Sequence, residues 1–414
     1  MKVLGIVAEY NPFHNGHFYH LNESQKTSDA EVTVCIMSGN FVQRGEVAIL
    51  SKWERAKIAT LCGVDLVLEL PFVYACNSAE YFAKGAVQIL DGICLVDTIS
   101  FGSESGNVQN FSDIAHLLLH ETDEFKDTIK ASLDKGNSFP KARAEAIQKI
   151  LGGDMAETIS QSNNILAVEY IKELMNLNSS ITPITVLRKG PADNSDVTEK
   201  GFASATGIRK LLENRASVSI DADAGINSIS EYVPDECFAT LKNSNINIKE
   251  KNDNLFMLLT AKVLSKSENE LDEIFSTGEG LGNKLKKAIR EAKDLESLID
   301  AVKSKRYTRT RIQRLLIHTL LDFKKPDFEY ILNNQINYTK VLAFNDKGAS
   351  LLKKIKKVEP KLPVITNINK EIDANDDIMK LLKYDILASD IYNLISGFDV
   401  RDNSEHVMAP YNKK

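Results

Sequence analysis

Paired cysteines are missing from this 414-residue chain. Cys35, Cys62, Cys76, Cys94 and Cys237 are odd in number and none stands in a CxxC spacing. That excludes a disulfide framework and a thiolate zinc site, and it fits buried thiols in a reducing compartment. An excess of positive charge is missing too. The net charge is -6, so a protein that coats itself with nucleic acid through bulk charge is excluded. Any RNA contact must rest on a local basic patch. No apolar run approaches the roughly 20 residues needed to cross a bilayer. The run Val3 to Ala8 is too short for a signal sequence, and Glu9, Asn11 and His14 follow it where a cleavage site would need small residues. The expected setting is cytoplasmic, with no membrane.

What remains is a globular composition, 43% hydrophobic and 26% charged, in a chain long enough for two domains. Short β-branched runs at Val3–Ala8, Val32–Met37, Leu66–Leu70, Thr98–Phe101 and Ile181–Leu187 alternate with helical patterns such as Lys52–Leu61 and Ala79–Leu90. Strands separated by helix-length connections predict a doubly wound parallel sheet of Rossmann-like α/β type. Residues 217–244 are poorly periodic and read as a connection. After Asn252 long helical patterns take over, with two short apolar runs, Lys340 to Phe344 and Leu362 to Thr366. The expectation is a Rossmann-like domain over 1–225 and a mainly helical domain over 226–414 with a small α/β element near the C-terminus.

In such sheets ligands bind at the carboxyl ends of the strands. Directly after the first strand stands Glu9-Tyr10-Asn11-Pro12-Phe13-His14-Asn15-Gly16-His17, opening a helix that continues through His20. A glycine between two histidines allows close approach of a phosphate chain, and the helix N-terminus offers N–H groups and a positive dipole end. His14 and His17 can donate to oxygens on which charge develops. The HxxH spacing is also that of half a metal site, but no third ligand accompanies it, and no metal ligand is assigned. Downstream, Ser204-Ala205-Thr206-Gly207-Ile208-Arg209 places two hydroxyls before a helical run, with Thr206 as N-cap and Arg209 in the first turn. This is a second anion cradle. Gly102, after the fourth strand, Asn163 and Asn164, at a helix start, and Arg188, after the fifth strand, are further candidates.

Between Lys303 and Arg314 there are six basic residues and no acidic one, with Ile312, Leu315, Leu316 and Leu320 marking a buried helix face. Arg306, Arg309, Arg311 and Arg314 are candidates for a phosphate backbone, and Tyr307 for stacking on a base. A solvated helix face is the plainer reading of such a run.

Taken together, these segments resemble the bacterial tRNA(Met) cytidine acetate ligases, within the HxGH nucleotidyltransferases. The resemblance lies in the Glu9 to His17 loop, Phe101 to Gly106, Phe139 to Ala146, Ser162 to Tyr170, Ser204 to Arg209, Arg306 to Arg314 and Ile386 to Tyr392. It implies an ATP-dependent enzyme that forms acetyl-adenylate from acetate and acetylates the exocyclic amine of the wobble cytidine of elongator tRNA(Met). It also implies catalytic roles for His14 and His17. ATP contacts are implied at Val7, Ala8, Glu9, Tyr10, Asn11, Pro12, Phe13, His14, Asn15, Gly16, His17, His20, Gly102, Asn163, Asn164, Arg188, Ser204 and Thr206. Magnesium on the phosphates is expected on chemical grounds, with no protein ligand named. After Arg188 the chain departs from the family in the turn Lys189 to Asn194. Two other readings stay open: an adenylyltransferase for a small phosphorylated acceptor, and a non-catalytic RNA-binding protein of the same fold.

Overall fold

A computed structural model describes the chain except residues 191–197, 200, 217–225, 245, 279, 306 and 371–375. Its centre is a sheet of β1 (Val3–Ala8), β2 (Val32–Ser38), β3 (Leu66–Leu70), β4 (Thr98–Ser103) and β5 (Thr182–Leu187), all parallel. The strand order 3-2-1-4-5 reverses direction between β1 and β4. That is the crevice where this topology opens to a ligand. Every residue of β2 and β3 is buried, because helices cover both faces. This is why these strands read as continuous apolar runs rather than alternating ones.

One core holds the helices Ala79–Gly92 and Ser162–Asn176 against one face of the sheet. The other packs Asn15–Ser28 and Lys52–Leu61 on the opposite face.

A short hairpin pairs β6 (Thr198–Glu199) with β7 (Phe202–Ala203). The two apolar runs near the C-terminus form the expected small α/β element, strand, helix Asp346–Ile355 and strand, and it continues the central sheet. The first becomes β8 (Thr339–Asn345), which pairs antiparallel with β3. The second contributes β9 (Val364–Ile365), and β10 (Tyr411–Lys413) completes the edge, both parallel to β8. A fully buried β3 would otherwise be a bare, apolar edge open to pairing with another chain. Long-range pairing of this kind leaves no local mark in a sequence.

A buried charge network fixes this attachment. Lys52 and Glu69 come from the first part of the chain, and Lys340, Asp385 and Glu405 from the last. Lys340 Nζ lies 3.0 Å from both Glu69 and Glu405 and 3.4 Å from Asp385. Lys52 Nζ is 2.8 Å from Glu69 and also bonds Glu405. The Asp385 carboxylate accepts from Tyr338 Oη and Phe72 N–H, each at 2.7 Å. Such a cluster is tolerated only because its charges are paired with one another.

The stretch read as a connection holds a helix, Asp235–Asn243, where it is described. Pro234 at its N-cap, Asp235 and Glu236 in its first turn, and buried Cys237 and Leu241 four apart are its local signature.

Candidate active site

The loop after β1 turns sharply. Tyr10 has φ 50, and the Asn11–Pro12 peptide is cis. Asn11 Oδ1 accepts from Ile49 N–H at 2.9 Å, which holds the loop against the segment after β2. Arg55, fully buried, donates to the carbonyls of Glu9, Ser38, Gly39 and Leu50. It is the internal strut of both loops, and its place within a helical pattern gave no sign of that role.

His14 is the N-cap of Asn15–Ser28 and forms a capping box with His17. Its Nδ1 accepts from Gly16 N–H at 3.0 Å, and its own N–H donates to His17 Nδ1 at 3.3 Å. With both Nδ1 atoms accepting, the proton of each neutral ring must sit on Nε2. The rings stack with centroids 3.7 Å apart. Burial holds the His17 pKa well below its ordinary value, assisted by His14, Arg188 and His20. For the same first reason, with Arg188 adding to it, His20 is lowered to about 4. His17 and His20 are thus neutral at pH 7.

Two expectations change here. The room that Gly16 leaves belongs to the His14 ring: a Cβ would stand 2.8 Å from its Cε1. The helix start is also less open than supposed, since Asn15 N–H donates to Tyr232 O at 2.9 Å and Gly16 N–H to His14. The imidazoles, rather than the backbone, are the principal donors of this loop.

Ser204 and Thr206 arrive from the far side. Thr206 is not the N-cap of Ala205–Ala216: Ser204 is, its Oγ accepting from Gly207 N–H at 2.9 Å. Thr206 lies one turn before Arg209, whose Nη2 donates to its hydroxyl at 3.3 Å. The Arg209 guanidinium also reaches the backbone O of Asn11 and the carboxylate of Glu46, each at 2.9 Å. The two loops therefore close on one cavity, across the β1/β4 crevice. It is lined by Glu9, Asn11, His14, Gly16, His17, His20, Gly102, Asn163, Arg188, Ser204, Thr206 and Arg209. Val7, Ala8 and Tyr10 also line it, as do Gln43, Arg44, Glu46, Phe82, Leu166 and Tyr170. None of these last six was singled out in the sequence.

Pro12, Phe13, Asn15 and Asn164 stand outside the cavity wall. Phe13 is buried in the core below the loop. Asn15 Nδ2 bridges the carbonyls of Gly201 and Glu231, both at 2.9 Å, so it ties the loop to the downstream segment. Asn164 is buried and accepts from Glu104 N–H at 3.0 Å. Glu104 in turn holds Asn163 Nδ2 at 2.7 Å. Gly102 lets the Arg188 side chain pass, since a Cβ there would meet Arg188 Cγ at 3.3 Å. Of the turn after Arg188, Lys189 and Gly190 are described, and Lys189 Nζ lies 4.2 Å from the Tyr19 ring centroid. Asn11 Nδ2 is buried without a hydrogen-bond partner among the described residues. An orphaned donor in a cavity wall is what an anionic ligand would satisfy.

The profile of the family described as HIGH Nucleotidyl Transferase matches residues 1–406. The tRNA(Met) cytidine acetate ligase of Caldanaerobacter subterraneus subsp. tengcongensis is 42% identical over 398 residues, covering 95% of each chain. The chain belongs to this ligase family. The Clostridium botulinum ligase is 38% identical over 419 residues, covering 99% of this chain and 98% of the relative. Among solved structures, Thermotoga maritima TmcAL superposes with TM-score 0.90 at 31% identity, covering 100% of this chain and 99% of that one. The same protein bound with alpha-thio ATP superposes at 0.88, again at 31% identity and with the same coverage. The family is one of enzymes, so the non-catalytic reading falls away. No helix among the described residues is long and apolar enough to cross a membrane.

The basic segment becomes the helix Arg309–Leu320. Arg309 and Arg311 are exposed on it, Arg309 paired with Glu296 at 2.6 Å. Tyr307 is no free stacking platform: it is 9% exposed, packed in the core. The Arg311 guanidinium lies 4.8 Å from its ring centroid. Arg314 points inward, its Nη1 donating to Gln43 O at 3.3 Å. Arg306 lies outside the described residues. Gly45, with φ +78, brings loop 41–47 against this helix, where a Cβ would meet Arg314 N at 2.4 Å. The basic helix thus adjoins the cavity wall.

Proposed function

We propose that this protein activates acetate with ATP and transfers the acetyl group to the wobble cytidine of elongator tRNA(Met), giving N4-acetylcytidine. The observation that carries the reading is the convergence of His14 and His17 with Ser204, Thr206 and Arg209 on one cavity beside a basic helix.

In the first step an acetate oxygen attacks the α-phosphorus of ATP, and pyrophosphate leaves. The Nε2–H groups of His14 and His17 stabilise the charge that grows on the phosphates, with no proton transfer required of them. Because both rings are already fixed by their Nδ1 bonds, no reorientation accompanies the reaction. Ser204, Thr206 and Arg209 hold the departing pyrophosphate. Asn163, Gly102 and Arg188 form the nucleoside end. Among the described residues no group of three acids, histidines or cysteines is placed to hold a metal. Magnesium would accordingly be held chiefly by phosphate oxygens and would neutralise their charge.

In the second step the cytidine amine takes the acetyl group and AMP is released. The residues 226–414, with Arg309 and Arg311 exposed, supply the tRNA-binding part, and residues 1–225 the ATP-binding part. The cytoplasm is the expected place of work. The test is incubation with ATP, labelled acetate and tRNA(Met): label enters the RNA only with ATP present. Label absent from the RNA overturns the reading.

A further inference from the structure

The cavity has two sides. On one, the histidines, Ser204 and Thr206 gather at the helix Asn15–Ser28 and the helix Ala205–Ala216. On the other, Phe82, Leu166 and Tyr170 come from helices of the opposite core. Side chains of β1 alternate between the faces, with Val7 against the second core and Ala8 against the first. Glu9 follows the strand directly and accepts from Gln43 N–H, and the Gln43 side chain donates to Asn77 O between Cys76 of the second core and the helix Ala79–Gly92; the Glu9 charge is felt at the Tyr170 phenol on that side.

Displacement at phosphorus is in line, so the nucleophile enters opposite the leaving group. With pyrophosphate held on the histidine side, the acetyl group is left on the Glu9 side, and the amine must approach it there. The exocyclic amine of cytosine is a weak nucleophile, because its lone pair is delocalised into the ring. It gains by losing a proton as the new bond forms.

Among the described residues of the wall, few can take that proton. His14 and His17 already accept at Nδ1 and carry their proton on Nε2. His20 stands on the phosphate side, 3.3 Å from Ser100 Oγ. Glu46 is engaged by Arg209 at 2.9 Å. Glu9 remains: half-buried, on the cavity wall, its Oε1 accepting from Gln43 N–H at 2.7 Å. Gln43 also accepts from Arg314 of the basic helix, so a single residue joins Glu9 to the element offered to RNA.

We propose that Glu9 is the general base of acetyl transfer. The amine nitrogen bonds to the acetyl carbonyl carbon, and one N–H proton passes to the Glu9 carboxylate. The bond from that carbon to the phosphate oxygen breaks, AMP leaves, and Glu9 returns the proton to solvent. The assignment rests on the ligase reading above. Burial raises the Glu9 pKa; the Gln43 N–H, Arg44 and Arg209 oppose the rise, and Glu46 adds to it. The Cys76 thiol and Arg55 also feel its charge. A base so tuned is stronger than an ordinary carboxylate.

The test isolates the transfer step by giving the enzyme synthetic acetyl-adenylate and tRNA(Met) in single turnover across pH. For the unmodified protein, the rate rises with pH along a limb governed by a carboxylate above the ordinary range. Glu9→Gln is expected to lower transfer by 100-fold or more and to abolish that limb. Glu9→Asp keeps the limb at a reduced plateau. A merely structural role would lower thermal stability yet leave the limb in place in Glu9→Gln. Transfer by Glu9→Gln within threefold of the unmodified protein, or with the same limb, overturns the proposal. A limb missing from Glu9→Asp while that variant still transfers also overturns it. An unmodified protein that cannot move acetyl from acetyl-adenylate to RNA overturns the ligase reading itself, and this proposal with it.

Discussion

Arg209 Nη1 donates to the backbone carbonyl of Asn11 at 2.9 Å, across 198 residues of sequence. Its other nitrogen reaches both Glu46 and Thr206. One guanidinium thereby sets the distance between the two phosphate loops. Arg209→Lys cannot reproduce this fork. It should lower kcat/KM for ATP in acetate-dependent ATP–pyrophosphate exchange by roughly 10- to 100-fold, as expected for losing charge-assisted bonds of about 1.5–3 kcal/mol. An exchange rate within twofold of the unmodified protein would mean that Arg209 merely caps its own helix.

Removing an imidazole should act on the rate more than on ATP binding. His14→Ala and His17→Ala are each expected to lower kcat for exchange by about 100- to 1000-fold, the usual scale for one preorganised donor. Gly16→Ala displaces the His14 ring, so it should resemble His14→Ala although it removes no side-chain donor. Steady-state exchange across ATP concentrations separates kcat from KM.

Most of this site was legible because its donors stand in contiguous motifs at strand ends. The β1 loop, Gly102 and Arg188 fell where parallel strands direct ligands, and the structure puts them on one cavity. What escaped was set by tertiary packing. Arg55 stands in a regular helical pattern, and its bonds to four carbonyls appear only once β1 and β2 are side by side. Lys340 reads as the start of an isolated strand, while its partners are distant in sequence, Glu69 on the strand that pairs with β8 and Glu405 near the C-terminus. Tyr307 looked accessible because its neighbours are basic, yet its own ring is part of the core.

The buried network makes a stability prediction. Lys340→Met leaves Glu69, Asp385 and Glu405 short of a cation, and breaking such a cluster typically costs about 3–5 kcal/mol. Thermal unfolding should therefore begin at a clearly lower temperature. An unchanged midpoint would show that Lys52 alone balances the cluster.

His318 supplies a pH dependence. It is fully buried between Cys76 O at 2.7 Å and Ser276 Oγ at 2.5 Å, and burial lowers its pKa to about 3. The unfolded chain binds a proton near pH 6.5, before the folded one does. Stability from this group is therefore complete above that value and falls as pH drops toward 3. At pH 5 the loss is about 2 kcal/mol. Urea unfolding of the unmodified protein and of His318→Gln, at pH 7 and pH 5, isolates this share. The variant should lose less stability between the two.

Salt dependence checks the basic helix. Arg311→Ala should raise KM for tRNA(Met) and flatten the slope of log affinity against log salt by about one charge, as removal of one phosphate contact requires. Tyr307→Phe should leave the slope alone, since the ring is buried and the change removes no charge. A flattened slope in Tyr307→Phe and none in Arg311→Ala would place the RNA elsewhere.

A double-mutant cycle on ATP turnover tests most directly whether one triphosphate joins the two loops. His17→Ala, Thr206→Val and the pair are compared by exchange kinetics. Coupling of about 0.5–3 kcal/mol between positions 17 and 206 is the predicted result, as for residues in one network. Effects that add to within about 0.5 kcal/mol would contradict the account, because independent residues do not share a ligand.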